Sequence, residues 1–220
     1  MRLHADAVVR DSLGVGLAVG SYGFAFGAAS AAAGLSTLQT CLLSLLAFTG
    51  GTQFAVVGVI AAGGGPGPAL AGGLLLGSRN MLYAMRLAPL LRVRGWRRLL
   101  AAHGTIDEST AMAVARRDPR DARTAFWWTA AGVFVFWNLT TLAGALVGTV
   151  VDPVDYGLDA VVPAAFLALL APRLRDGRLE KRIAVAGAVI AVVLIPLTPP
   201  GVPVLAACAA LLLASERRPR

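Results

Sequence analysis

Residues 12–78 read SLGVGLAVGSYGFAFGAASAAAGLSTLQTCLLSLLAFTGGTQFAVVGVIAAGGGPGPALAGGLLLGS, without a single Asp, Glu, Lys, Arg or His. A helix needs about 20 mainly apolar residues to cross hydrocarbon, so an uncharged run of this length predicts several membrane segments in succession. The run ends at Arg79-Asn80, and the sequence stays apolar on the far side. An arginine at the centre of a span costs roughly 2.5–3.5 kcal/mol on insertion scales, so such residues face a polar cavity and mark a solute or ion path. Arg79 and Asn80 are therefore the first candidate site residues.

Outward from that stretch, composition points the same way. Hydrophobic residues make up 57% of the 220 and charged ones 15%, with a mean hydropathy of +0.71, beyond what a water-soluble domain carries. The expected fold is all-α: a polytopic transmembrane helical bundle in one domain over 1–220, with Gly/Pro-interrupted helices early in the chain. The net charge of +8 does not indicate nucleic-acid binding, because the basic residues sit in short blocks between apolar runs. Cys41 and Cys208 fall in apolar segments and read as packing residues, with neither a metal site nor a cofactor expected. The apolar part of residues 1–33 is about twice a normal leader core and reads as a retained first span.

Predominantly apolar windows fall at about 12–33, 38–62, 69–91, 124–150, 155–172, 181–197 and 200–215, which predicts seven spans. Pro196, Pro199, Pro200 and Pro203 crowd the last two, which could form a tight hairpin short of a full crossing. Arg92, Arg94, Arg97, Arg98, Arg116, Arg117, Arg120 and Arg123 mark 92–123 as a cytoplasmic loop, as do Arg173, Arg175, Arg178, Lys181 and Arg182 later on. The basic tail 216–220 then puts the C-terminus in the cytoplasm and the N-terminus outside. Arg2 and Arg10 sit badly there, and the alternative is one re-entrant early segment and six spans.

In the first span Gly16, Gly20, Gly23, Gly27 and Gly34 share one helical stripe, the pattern of close helix packing. Gly50-Gly51 interrupts the second span before Thr52 and Gln53. Such a break offers either half-helix amides to a carboxylate or relief at a close crossing. Arg79, Tyr83 and Arg86 lie four and three residues apart on one face of the third span. Arg86, nearer the cytoplasm, can snorkel, whereas Arg79 has no Asp or Glu in a neighbouring early span and is expected to meet a ligand or to cap freed carbonyls. Thr105-x-x-Glu108 matches a capping box opening a short helix. Asp107 and Glu108 could otherwise form a gate or proton relay at the inner mouth.

Four segments in order carry a resemblance: Phe48-Thr49-Gly50-Gly51-Thr52-Gln53-Phe54; Arg79-Asn80-Met81-Leu82-Tyr83 followed by Pro89; Asp107-Glu108-Ser109 before an alanine-rich helix; and Leu158 to Leu170 with Asp159, Pro163 and Phe166. Together they resemble the AzlC-type branched-chain amino-acid permease family, with Ser78 standing where the family pattern has Asn. The resemblance implies ion-coupled export of leucine, isoleucine or valine across a prokaryotic inner membrane by the large subunit of a complex. Its expected partners are a small AzlD-type membrane subunit and possible further copies of itself. A zwitterion with an apolar side chain needs a carboxylate receptor, an amine acceptor and a greasy pocket. Arg79 or the amides at Gly50, Gly51 and Thr52 could serve the first. Gln53, Asn80 or broken-helix carbonyls could serve the second, and Phe48, Phe54, Leu75 and Leu82 the third. A proton carrier would be Asp159, Asp107 or Glu108, all near span ends.

An intramembrane enzyme fails on inventory, because neither His4 nor His103 lies in a predicted span, no His-Glu-x-x-His occurs, and Gly34-Leu35-Ser36 has no nearby base. A non-transporting assembly subunit and a passive channel are the other readings. The first predicts that Arg79 tolerates leucine, and the second a continuous wet pore.

Overall fold

The computed structural model describes residues 2–150, 177–199 and 201–216, with isolated positions between 164 and 175. All regular structure among the described residues is helical. Most of the predicted window 155–172, Asp159 included, lies outside the described residues.

The reference axis is a 32-residue helix, Pro119–Val150, roughly 48 Å long at 1.5 Å per residue. We call it α9. Against it runs the N-terminal pair α1 (Arg2–Gly20) and α2 (Tyr22–Ala32). The glycine stripe makes this contact: a Cβ at Gly16 would lie 2.9 Å from the Gly132 carbonyl carbon, and others at Gly20, Gly23 and Gly27 would overlap Phe136, Trp137 and Thr141 in turn. Gly34 is not part of the stripe; it makes the following turn at φ 84° with open space around it. Contacts that advance together along both helices mean that they run parallel. Arg116, just before α9, accordingly pairs with Asp11 on α1 at 3.2 Å. The N-terminus therefore shares an end with the arginine-rich segment, against the expectation that it lies opposite. We call this the basic end.

The predicted second span is not a crossing. Helix α3 (Thr37–Leu46) starts from a capping box in which Ser36 Oγ accepts from Gln39 N–H and Gln39 Oε1 accepts from Ser36 N–H. It descends past Thr141 to Phe48, which packs edge-on against Phe134 near the middle of α9, 5.1 Å between centroids. There the chain turns, and α4 (Gly50–Ala61) climbs back. Gly50 meets the Trp137 ring, and one turn on Phe54 reaches Phe26 at 5.6 Å, farther from the basic end. Window 38–62 is thus a re-entrant hairpin. Hydropathy misses this because a hairpin buried inside protein is as apolar as a crossing.

Helices α5 (Pro66–Gly77) and α6 (Arg79–Leu91) together go from one end to the other. Gly73 and Gly77 lie against Thr52 of α4, and at the far end Leu90 carbonyl accepts from Arg123 Nε at 2.8 Å. The ladder breaks at Ser78, whose hydroxyl turns back to the Leu75 carbonyl.

The arginine-rich segment is a second correction. Rather than an external loop over 92–123, its middle is an inserted hairpin of α7 (Arg97–His103) and α8 (Asp107–Val114). At its tip Gly104 abuts Ala130, the His103 ring lies 5.6 Å from Phe48, and Ile106 joins the core of Phe26, Phe48, Phe54, Val133 and Trp137. Ala113 returns to Leu91 and Phe126. Two half-helix hairpins thus enter from opposite ends and meet beside the middle of α9.

Late in the chain, α10 (Arg178–Leu194) folds against α11 (Val202–Ala207) and the 3-10 turn Cys208–Glu216. Gly201, at φ 92°, places their connection on Pro68 and Val59. Two stretches, 6–32 and 119–150, are long and apolar enough to cross a membrane on their own. Seven crossings are not what the described residues show, because 38–62 doubles back.

Candidate functional site

The first hairpin tip is held by Gln53, which is fully buried. Its Nε2 donates to the Ala47 and Ser44 carbonyls at 2.9 and 3.3 Å, and its Oε1 accepts from Trp137 Nε1 at 2.9 Å. One amide thereby closes the C-terminal end of α3, anchors α4 and fixes the indole of α9. Its Oε1, the atom expected to accept from a substrate amine, already accepts from Trp137 Nε1, and Gln53 does not line the cavity described below.

At the second tip the expected capping box does not form. Thr105 Oγ1 donates to the Ala101 carbonyl at 2.6 Å. Ser109 Oγ accepts from Ile106 N–H at 3.1 Å and donates to the Gly104 carbonyl at 2.6 Å. The helix starts at Asp107, which frees the Asp107 and Glu108 side chains to face the other tip.

Arg79 enters from the α5–α6 break. Its Nη2 donates to Asp107 Oδ2 in a short ion pair, and Tyr83, one turn on, donates its hydroxyl to Asp107 Oδ1 at 2.6 Å. The expectation that Arg79 lacks a protein carboxylate is overturned. Asp107 is distant in sequence, and the inserted hairpin delivers it beside the middle of α9 rather than to the end of the bundle. The pair does not exhaust the guanidinium, since Arg79 Nε has no partner among the described residues. Both side chains keep access to open space, at 34% and 40% relative exposure.

That space is a cavity of about 220 Å³, below the roughly 300–1,000 Å³ of drug-sized sites and suited to a small solute. Its lining combines Arg79, Asp107, Glu108, Thr49, Gly50 and Gly51 with the apolar side chains of Val19, Phe48, Phe54, Ile106, Val133 and Trp137, and includes Tyr22. Two helix N-termini, of α4 and α8, open onto it, each equivalent to roughly half a positive charge. With Arg79 they set positive charge against the Asp107 and Glu108 side chains.

Of the residues expected from sequence, Gly50, Gly51, Arg79, Asp107 and Glu108 line the cavity, and Tyr83 reaches it through Asp107. Thr52 is buried toward α5, and Asn80 is half-buried outside the lining. Leu75 and Leu82 are exposed and do not line it; Phe48 and Phe54 do. Arg86 is exposed. Sequence reasoning missed Val19, Tyr22, Thr49, Ile106, Val133 and Trp137 as lining residues. Thr49 stood inside the quoted Phe48–Phe54 segment, and its place as the last residue before a glycine pair was the available signal.

The chain is 28% identical over 195 residues to "Inner membrane protein YgaZ" of Escherichia coli (strain K12), covering 84% of this chain and 80% of that protein. No solved structure matches it. The AzlC protein family model matches residues 14–151, which takes in both hairpins, Arg79, Asp107 and the whole of α9. The chain is a transport-related membrane protein and belongs to the AzlC family.

Proposed function

We propose that this chain is the large subunit of an ion-coupled exporter of branched-chain amino acids, acting with a small AzlD-type membrane subunit. The observation that carries the reading is the cavity, which joins one guanidinium, two carboxyl groups and two helix N-termini to apolar side chains beside the middle of α9. A zwitterion with a branched aliphatic side chain uses all of these. Its carboxylate goes to the positive pole formed by Arg79 and the N-terminal amides of α4. Its ammonium goes to Asp107 or Glu108, and its side chain lies on Phe48, Phe54, Ile106 and Val133.

Asp107 is shared between Arg79 and Tyr83, so the ion pair acts as a latch as well as a receptor. A proton delivered to Asp107 or Glu108 would loosen the latch and weaken the hold on the ammonium, which links solute release to proton entry. The two hairpins meet at their tips, where Phe48 packs against His103. Rocking one against the other gives the site access to each end in turn, the mode of transporters built on broken helices.

The test is resistance to a toxic leucine analogue in cells carrying the chain and its small partner. Arg79→Ala and Arg79→Leu, at wild-type abundance in the membrane, are expected to lose resistance. Full resistance with Arg79→Leu would favour an assembly subunit without a transport role.

A further inference from the structure

Where α6 passes into α7, at the basic end, two grooves open beside the chain. The first, of about 530 Å³, has Arg92, Arg94 and Arg98 in its lining. It also takes in Ala84, Ala88 and Leu91 of α6, Ala101 of α7 and Thr105 at the hairpin tip, so it runs roughly 10 Å along α6 at 1.5 Å per residue. The second, of about 650 Å³, shares Arg92 and Arg94 and adds Arg97, Arg123, Trp96 and Trp127. No described acidic residue lines either groove, and residues 80–106 contain no Asp or Glu to neutralise the cluster. Three of the guanidiniums are steadied by one bond each: Nε of Arg92, Arg98 and Arg123 donates to the Pro89, Val93 and Leu90 carbonyls at 3.3, 3.2 and 2.8 Å. The amino nitrogens of a guanidinium carry four further donors, and among the described residues these have no carboxylate partner. Arg92 lies at φ 51°, a left-handed conformation that glycine adopts more cheaply, and the turn it opens, closed by Gly95 at φ 58°, sets Arg92 and Arg94 on both grooves. Trp96 and, in α7, Leu99 and Leu100 are exposed next to this cluster. Large apolar groups left open beside fixed cations are the mark of a membrane–water boundary.

We infer that the groove of Arg92, Arg94 and Arg98 is a binding site for an anionic phospholipid. The guanidiniums take the phosphodiester, and an acyl chain lies along the apolar floor between α6 and α7. Free phosphate would satisfy the arginines and leave that floor empty, so the lipid is the occupant that fits the whole groove. A lipid seated there touches α6, which bears Arg79 and Tyr83, and the hairpin that bears Asp107, and so braces the two elements that meet at the ion pair. The inference does not depend on which solute the central cavity carries.

The experiment titrates the purified full-length chain, in a neutral detergent, with dioctanoyl phosphatidylglycerol, dioctanoyl phosphatidylcholine and inorganic phosphate. Wild type is expected to bind the anionic lipid at least about ten-fold more tightly than the zwitterionic one. The double variant Arg94→Gln with Arg98→Gln removes two charged contacts and should weaken phosphatidylglycerol by about ten- to a hundred-fold. Arg117→Gln with Arg120→Gln removes the same charge from the same end but outside both grooves, and should stay within about three-fold of wild type. Arg94 makes no side-chain bond to the protein among the described residues, so Arg94→Gln alone reports on the site if the double variant fails to fold. Ala88→Phe fills the apolar floor with every charge kept, and should weaken the lipid as well. Equal weakening by the two double variants overturns the inference, because it would make the attraction a property of the whole basic end. Equal affinity of wild type for the two lipids overturns it too, as does displacement of phosphatidylglycerol by inorganic phosphate at matching concentration, which would assign the groove to the free anion.

Discussion

Arg79 and Asp107 hold each other at a depth where neither charge is cheap alone. Neutralising one partner strands the other, while neutralising both removes the mismatch. Because the pair faces a cavity, screening reduces the penalty, and Arg79→Gln or Asp107→Asn should each cost about 1–2 kcal/mol. The double variant should recover at least half of that loss, while transport stays at background. Thermal unfolding of the purified variants checks the energies, and additive losses in the double variant would show that the two groups are not coupled. Gln53 behaves differently. Gln53→Leu breaks its bonds to Ala47, Ser44 and Trp137 together, and a loss of about 2–4 kcal/mol is expected. It should appear as reduced abundance and a lower melting temperature; unchanged stability would make Gln53 a solute ligand after all.

At the scale of elements, the parallel packing of α1 and α2 on α9 depends on bare backbone. Gly27→Val sets side-chain atoms against Thr141 and Ala145, and overpacking of this kind costs about 1–3 kcal/mol. Gly34→Ala strains a left-handed turn without disturbing the interface. The first should lower the melting temperature and separate α2 from α9, which a cysteine pair on these helices would report as slower cross-linking; the second should leave the cross-link intact. Equal cross-linking in Gly27→Val would remove the stripe from the interface.

The stripe was legible because a three-or-four spacing of glycines has one geometric meaning on a helix. So was the break at Gly50-Gly51, and so was the oddity of Arg79. The fold-back at Phe48 and Thr49 was not, since residues 38–62 are uniformly apolar whether they cross or return. Nor was the insertion of α7 and α8. Its flanking arginines dominate the charge pattern of 92–123, and only the short apolar runs around Ala101 and Ile106 hint that its tip is buried. That one miss displaced Asp107 from the site and left Arg79 without its partner.

For the whole molecule, the two opposed hairpins set the topology, and the topology sets which ends face the same way. The N-terminus, the segment around Arg94 and the start of α9 should all be labelled from one side of the membrane, and Gly64 from the other. Single-cysteine accessibility in intact cells and inverted vesicles checks this. Labelling of the N-terminus and residue 94 from opposite sides would break the parallel arrangement of α1 and α9.

The central claim is that the cavity between the hairpin tips receives an amino acid on Arg79, Asp107 and the amides of α4. Efflux of labelled leucine tests it most directly, from preloaded cells expressing wild type, Arg79→Ala or Asp107→Asn together with the small partner. Rapid efflux with wild type and background efflux with both variants, at equal amounts in the membrane, is the predicted result. Leucine leaving at the wild-type rate through Arg79→Ala would contradict it.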